Sequence, residues 1–220
     1  MQAGLDLERR IFGNEMVDRF KSMSELLHAV PAHGNYEIQH DASMGTRVKL
    51  FAPHGGCIEP CTGALVREIA LGRTDFYIFH GMRKKSCYGT LHVTAVNYDE
   101  EHCNRMARSA EIAVAIHGCS GRASFIELGG GNRAAARQLL VHLARRDFPA
   151  RLALGNRKGA DNRNFINLSR RKGVQLELSA GFRRSLYADF PKTLQPNPVA
   201  LRLFVQAVQD WILEVEATLV

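Results

Sequence analysis

The sequence predicts a single α/β domain built on a mixed, mostly parallel sheet flanked by helices. Short apolar strand patterns alternate with helical patterns along the chain, as in other α/β proteins. Residues 112–116 are apolar at every position, which is typical of a strand buried on both faces of a sheet. The chain has 220 residues, 45% of them hydrophobic, which is enough for one substantial core and short for two.

In the first half of the chain, strand and helix patterns follow each other closely. A helical spacing of Phe20, Met23, Leu26 and Val30 predicts an N-terminal helix. We therefore expect residues 1–30 to form an N-terminal extension and helix, and residues 31–220 to form the α/β domain. Strands are predicted over residues 36–39, 47–51, 75–79 and 91–96. Helices are predicted over residues 62–71 and 99–107, and Pro60 suits the first turn of the former.

The second half of the chain begins with the buried strand and continues the alternation. Strands are predicted over residues 112–116, 124–128, 150–154 and 173–178, and helices over residues 133–145 and 198–217. An Asn- and Arg-rich loop spans residues 155–171. In the strand over residues 173–178, Val174, Leu176 and Leu178 share one face, which leaves Gln175 and Glu177 on the other.

The net charge of +7 indicates that the surface attracts polyanions. The basic residues are dispersed in short clusters with few aromatic residues between them, which is weak evidence for a dedicated nucleic-acid surface, and an anionic substrate or simple solubility explains the charge equally well. Apolar runs stop well before the roughly 18 residues that a membrane helix needs, and the chain does not open on a signal-peptide pattern. We therefore expect a protein without membrane contact that is cytoplasmic, or released by lysis.

The five cysteines are an odd number without a CxxC pair, which fits a reducing compartment better than a disulfide framework. Cys57 and Cys61 nevertheless lie four positions apart and close to His54. A metal site that includes cysteine therefore remains an alternative, although no second cysteine pair with zinc-finger spacing follows.

The most informative segment is residues 52–60, Ala-Pro-His-Gly-Gly-Cys-Ile-Glu-Pro, which we call the His-Glu loop. An apolar run leads into a Gly-Gly turn that holds His54 and Glu59 five positions apart. Zinc binds imidazole nitrogen and carboxylate oxygen at about 2.0–2.2 Å, and a Gly-Gly turn lets the backbone fold back so that both can reach one ion. The loop therefore predicts a metal site, with a glycine-rich strand-to-helix turn as the alternative.

Two further residues lie where predicted strands could bring them to the same sheet edge. His117 ends the buried strand, and Glu177 occupies the polar face of a later strand. In open α/β sheets, sites form at the carboxyl ends of strands. His54, Glu59 and His117 would supply the three protein ligands of a catalytic zinc, and Glu177 would act as the general base.

Each of these assignments has an alternative that the sequence leaves open. His117 could be a hydrogen-bonded turn residue, and Glu177 could be solvated or paired with Arg183. His92 is the rival third ligand. Because its predicted strand begins at the histidine, we prefer a role for His92 in contacting the substrate or supporting a ligand.

Four segments together resemble the poly-γ-glutamate hydrolase family, phage-type enzymes related in fold to zinc carboxypeptidases. They are residues 52–62 (Ala-Pro-His-Gly-Gly-x-Ile-Glu-Pro-x-Thr), 91–94 (Leu-His-Val-Thr), 116–118 (Ile-His-Gly) and 173–178 (Gly-Val-Gln-Leu-Glu-Leu). The similarity runs from about residue 36 to residue 186. It implies a zinc carboxypeptidase-like core, zinc on His54, Glu59 and His117, and Glu177 as the catalytic carboxylate.

The resemblance also implies an arginine that stabilises the oxyanion or binds a substrate carboxylate, with Arg183 the first choice and Arg163 the second. We expect His92, Asn164 and Asn167 to contact the substrate. The chain departs from the family pattern at Cys57 and Cys61, where we expect glycines. Neither change removes a ligand, but both place sulfur near the metal.

The leading hypothesis is a zinc-dependent hydrolase of γ-glutamyl amide bonds in poly-γ-glutamate or a similar anionic polymer. One alternative is a phage-type nucleic-acid-binding accessory protein in which the metal site is structural. The other is a zinc peptidase or deacylase that acts on small γ-glutamyl or cell-wall peptides. The sequence does not predict the oligomeric state.

Overall fold

The structure is a computed structural model that describes residues 18–188, 190–191 and 194–219, without the side chain of Asn156. The part of the predicted N-terminal extension before residue 18 lies outside the described residues.

The elements of the first half are α1 (Met23–Ala29), β1 (Tyr36–Asp41), β2 (Val48–Gly56), α2 (Thr62–Ala70), β3 (Phe76–Gly81), α3 (Cys87–Leu91), a 3-10 turn (Ala95–Asn97) and α4 (Glu101–Ser109). Those of the second half are β4 (Ile112–Cys119), β5 (Ile126–Gly129), α5 (Arg133–Ala144), β6 (Ala150–Leu152), 3-10 turns at Gly155–Lys158 and Phe165–Leu168, β7 (Val174–Ser179), α6 (Ala180–Leu186), β8 (Tyr187–Ala188), β9 (Gln195–Pro196) and α7 (Pro198–Thr218).

Seven of the described strands form one sheet in the order β1-β3-β2-β4-β7-β5-β6. The pairs β1–β3 and β5–β7 are antiparallel, and the other four pairs are parallel. The predicted mixed, mostly parallel α/β sheet is therefore confirmed. Because β2, β4 and β7 are parallel neighbours, their carboxyl ends meet at the centre of one sheet edge.

Helices cover the sheet on both faces. On one face, α2, α5, α6 and α7 pack on the strands, with Trp211 and Phe204 of α7 fully buried. On the other face, α1 and α4 pack with the Phe165–Leu168 turn around Phe51 and Tyr77. The central strand β4 serves both layers, since Ile112, Val114 and Ile116 face the first and Ala113 and Ala115 face the second. This two-sided burial is why β4 is apolar at every position.

The predicted strand over residues 91–96 is wrong. Residues Cys87–Leu91 form α3, His92 follows as its C-cap, and the chain then turns through Ala95–Asn97. The alternating pattern arises because Leu91 and Val93 anchor an irregular segment to the second core cluster. Pro60 also lies outside α2, because the N-cap residue Cys61 has φ 75°.

The sequence pattern did not reveal α6, which follows β7 directly. Ser179 both ends the strand and caps the helix, and its side chain accepts a hydrogen bond from the Phe182 amide. A seven-residue helix is too short to show a clear amphipathic period. Among the helices that the structure describes, none is long and apolar enough to cross a membrane.

Candidate active site

The His-Glu loop is held in a tight reversal at the end of β2. Gly56 has φ 65°, and a Cβ atom there would lie 2.1 Å from the Gly81 carbonyl oxygen of β3, so the position requires glycine. The Glu59 amide donates to the His54 carbonyl at 2.8 Å, and the Thr62 hydroxyl donates to the Glu59 carbonyl at 2.9 Å. These hydrogen bonds hold the backbone reversal that brings Glu59 next to His54.

Three side chains that could bind a metal converge at this sheet edge. His54 Nδ1 lies 3.0 Å from Glu59 Oε1 and 3.2 Å from His117 Nδ1, and His117 Nδ1 lies 3.6 Å from Glu59 Oε2. Two ligands bound to zinc in a tetrahedral site at 2.0–2.1 Å are about 3.4 Å apart. The separations and the chemistry of the two imidazoles and the carboxylate therefore fit one zinc ion.

Neighbouring backbone groups orient these ligands. His54 Nε2 lies 2.9 Å from the Val93 carbonyl oxygen, which can only accept, so Nε2 carries the proton and Nδ1 keeps its lone pair. Glu59 Oε2 accepts a hydrogen bond from the Gly118 amide at 2.8 Å. His117 Nε2 is buried and has no hydrogen-bond partner among the described residues.

The protonation of these three groups is coupled. Burial lowers the pKa of His54 in spite of the nearby Glu59 carboxylate. Burial alone would raise the pKa of Glu59, but His54 and His117 outweigh it and hold that pKa well below its usual range. Burial would lower the pKa of His117, yet its contact with Glu59 raises it. A cation would therefore compete with a proton on His117 for this site.

Glu177 lies beside His117 on the neighbouring strand, since the two residues are Cα partners in the β4–β7 register. Gln175 Nε2 donates to Glu177 Oε1 at 2.7 Å, and Asn164 Nδ2 donates to Gln175 Oε1 at 3.1 Å. Burial raises the pKa of Glu177 to about 7, which suits a group that exchanges protons near neutrality.

A cavity of about 880 Å³ opens above these residues. His54, Glu59, His117 and Glu177 all line it. The loop after β6 also lines the cavity and contributes Arg157, Lys158, Arg163 and Asn164. The cavity therefore combines the candidate metal ligands with positive charge.

His92 also lines the cavity, and it remains a rival ligand. One ring nitrogen of His92 forms a group with ligand atoms of His54 and Glu59 in which all atoms lie within 4.8 Å of one another. Its Nδ1, however, lies 2.6 Å from Asp18 Oδ1. The geometry thus brings both candidate third ligands close to His54 and Glu59.

Arg183 does not line the cavity. Its guanidinium is buried and donates to the carbonyl groups of Pro60 at 2.9 Å and Cys119 at 3.0 Å. These bonds tie the His-Glu loop to the end of β4. Arg183 thus lies outside the residues that line the cavity, its substrate or oxyanion contact stays a prediction, and Glu177 hydrogen-bonds to Gln175 and not to Arg183.

The other predicted substrate contacts divide between the cavity and its supporting loop. Arg163 and Asn164 line the cavity, and Arg163 pairs with Asp161 at 2.8 Å. Asn167 lies behind the lining, where its amide donates to the carbonyl groups of Gly159 and Asp161 at 2.8 Å each. Asn167 therefore shapes the loop, and the prediction of a direct contact is not supported for it.

Cys57 and Cys87 form a disulfide that joins the His-Glu loop to the start of α3. The expectation that the cysteines form no disulfide is wrong for this pair. The two sulfurs meet beside Gly81 of β3, where a Cβ atom would lie 3.0 Å from Cys87 Sγ and 3.2 Å from Cys57 Sγ. Cys57 is therefore bonded to Cys87, and burial raises the pKa of the nearby Cys61 thiol to about 12.

Two polar residues that contact the site were not identified from the sequence. The period of β7 places Gln175 on the polar face with Glu177, but it does not by itself indicate that Gln175 binds the Glu177 carboxylate. Asp18 contacts His92 across 74 positions of sequence, and no local pattern marks it.

Comparison with known proteins gives consistent family matches. A sequence model of a family described as poly-gamma-glutamate hydrolase matches residues 20–207. The UPF0714 protein YmaC of Bacillus subtilis (strain 168) is 31% identical over 175 residues, which cover 78% of this chain and 72% of YmaC. The UPF0714 protein YndL of the same organism is 33% identical over 149 residues, which cover 66% of this chain and 58% of YndL.

Two solved structures share the fold. A bacteriophage poly-gamma-glutamate hydrolase superposes with a TM-score of 0.86 at 23% identity, over 92% of this chain and 100% of the other. The zinc-free apo form of YndL superposes with a TM-score of 0.83 at 27% identity, over 90% of this chain and 98% of the other.

Proposed function

The chain belongs to the poly-γ-glutamate hydrolase family, and we propose that it is a zinc-dependent hydrolase that cleaves γ-glutamyl amide bonds in poly-γ-glutamate or a similar anionic polymer. The convergence of His54 Nδ1, Glu59 and His117 Nδ1 within 3.0–3.6 Å, in the wall of a cavity that also holds Glu177, is the observation that carries the proposal. A relative solved as a zinc-free apo form supports the choice of metal.

His54, Glu59 and His117 would hold the ion, and Glu177 would handle the proton. Zinc, when bound, lowers the pKa of a water molecule toward about 7 and polarises a carbonyl group. The Glu177 carboxylate accepts the proton of the attacking water and returns it to the nitrogen of the leaving amine. Gln175 Nε2 donates a hydrogen bond to Glu177 Oε1, which restricts the orientation of the carboxylate.

The basic side chains that line the cavity favour the binding of an anionic substrate. Lys158 and Arg163 both line the cavity, where Lys158 brings a positive charge and Arg163 is paired with Asp161, which also lines it. A γ-linked glutamate chain carries one free carboxylate per residue, which these groups can attract. A nucleic-acid-binding role has less support, because the basic pair Arg170 and Arg171 is engaged by Glu111.

The proposal is tested with purified protein and poly-γ-glutamate. We expect hydrolysis that a chelator abolishes and zinc restores, and a loss of about 100-fold or more in kcat for Glu177→Gln. Glu111→Gln is the matched control, because Glu111 precedes β4 at the opposite end of the sheet. Full activity of Glu177→Gln would refute the role of Glu177. Cleavage of short γ-glutamyl peptides but not of the polymer would instead favour a small-peptide hydrolase.

A further inference from the structure

A three-residue segment supports two histidines of the candidate site. The segment is 92–94, between α3 and the following 3-10 turn. The His92 ring lies between two rings: it stacks on Tyr88, at 4.3 Å between ring centroids, and packs at a tilt of 33° against His54, at 4.2 Å. The next residue, Val93, accepts the hydrogen bond from His54 Nε2 at 2.9 Å. The position of segment 92–94 therefore affects both imidazoles.

The carboxylate of Asp18 holds this segment at both ends. Asp18 Oδ1 lies 2.6 Å from His92 Nδ1, and Asp18 Oδ2 accepts a hydrogen bond from the Thr94 amide at 2.6 Å. The Asp18 and His92 side chains are only 11% and 13% exposed. Short bonds to an ionised carboxylate in such a sheltered place are about twice as strong as neutral hydrogen bonds.

The contact also sets which nitrogen of His92 carries the proton. An ionised carboxylate only accepts, so His92 Nδ1 is the donor and Nε2 is the ring nitrogen left to the cavity. In His54 the arrangement is reversed, because Nε2 donates to Val93 and Nδ1 is left free. The two neighbouring rings thus donate through opposite nitrogens, Nδ1 in His92 and Nε2 in His54.

We propose that Asp18 is a positioning residue of the candidate active site, which fixes segment 92–94 so that His92 presents Nε2 to the cavity and the Val93 carbonyl keeps His54 Nδ1 free for the metal. The inference rests on the proposed zinc function. It concerns a residue outside the family match, which begins at residue 20. Its prediction is that a carboxylate far from the ligands in sequence controls how well they bind zinc.

The experiment compares Asp18→Ala and Asp18→Asn with a matched control, Asp99→Ala. Asp99 Oδ1 accepts a hydrogen bond from the Ser24 amide at 2.8 Å. Both carboxylates therefore attach the beginning of the described chain to residues 92–99, but only Asp18 contacts segment 92–94. The control separates a general loosening of this attachment from a specific effect on the site.

Zinc affinity, measured by competition with a chelator, is the main readout. We expect Asp18→Ala to weaken zinc binding and to lower kcat by about 10-fold or more, with a smaller change in KM. Asp18→Asn keeps one acceptor oxygen and should lose less. Asp99→Ala should stay within about twofold of the wild type in zinc affinity and kcat, although its melting temperature falls.

Nitrogen-15 NMR of the metal-free protein gives a second readout. We expect the Nδ1–H tautomer of His92 in the wild type and a mixture of tautomers in Asp18→Ala. Wild-type zinc affinity and tautomer in Asp18→Ala, or an equal loss in Asp99→Ala, would overturn the proposal. Both readouts are independent of substrate, so they decide the role of Asp18 even if the protein does not cleave poly-γ-glutamate.

Discussion

At the scale of single residues, the site is defined by which imidazole nitrogen keeps its lone pair. His54 Nδ1 is free because the Val93 carbonyl takes the proton of Nε2. His117 Nε2 has no such partner in the described part of the chain, so His117 relies on Glu59 for its orientation. Substitution of His117 and of His92 can therefore identify which of the two is the third metal ligand.

We predict that His117→Ala loses zinc and that His92→Ala keeps most of it. His117 Nδ1 lies 3.2 Å from His54 Nδ1, close to the spacing of two zinc ligands. Elemental analysis of the purified variants measures this, with His54→Ala as the reference for a lost ligand. If His117→Ala retains zinc and His92→Ala does not, the third ligand is His92.

At the scale of elements, the Cys57–Cys87 disulfide attaches the His-Glu loop to α3. The bond closes a separation of 30 residues, for which restriction of the unfolded chain contributes about 2–4 kcal/mol.

We therefore predict that the double variant Cys57→Ala/Cys87→Ala lowers the free energy of unfolding by about 2–4 kcal/mol in urea titrations. A reductant should lower the stability of the wild type by a similar amount and leave the double variant unchanged. Equal stability of the oxidised wild type and the double variant would contradict this role.

A second prediction at this scale concerns the edge of the sheet, where Glu127 of β5 pairs with Arg151 of β6 at 2.9 Å and with Arg157. The hydrogen bond to Arg157 lowers the pKa of Glu127, with Arg151 adding to the effect and burial opposing it. A carboxylate with a lowered folded-state pKa stabilises the fold above its unfolded-state pKa and loses that contribution as pH falls through the lowered value.

We thus predict that Glu127→Gln is less stable than the wild type near neutral pH, by about 1 kcal/mol or less because both arginines are half exposed to solvent. The difference should shrink as pH falls below about 4. Thermal unfolding of both proteins across this pH range measures it. A difference that persists at low pH would point to packing instead of charge.

At the scale of the whole molecule, the net charge of +7 favours encounters with a polyanion. The basic wall of the cavity directs this general attraction to one place. Two of the basic side chains, Lys158 and Arg163, line the cavity, and other basic residues are dispersed along the chain.

We predict that Lys158→Gln/Arg163→Gln raises the KM for poly-γ-glutamate several-fold, about 1 kcal/mol of binding free energy, with little change in kcat. Added salt should raise the KM of the wild type more than that of the variant, because the variant has fewer charges to screen. Arg145→Gln, at the exposed end of α5, is the control. An unchanged KM would show that the basic wall does not contact the polymer.

Much of the site could be predicted because its residues stand in local patterns. His54 and Glu59 share one glycine-rich turn, and His117 and Glu177 end or line strands whose buried faces are visible in the sequence. The fold class followed from the same periodicities. The predicted strand at residues 91–96 failed because two buried side chains in an irregular segment imitate the period of a strand.

The sequence by itself determined the α/β class, the family and the candidate ligands, since these depend on short-range periodicity and on residue types at fixed spacing. Only the tertiary structure decided the contact of Asp18 with His92, the disulfide between Cys57 and Cys87, and the use of Arg183 as a link between Pro60 and Cys119. Each of these joins residues at least 30 positions apart, and their meeting depends on the order of strands in the sheet and not on any local pattern.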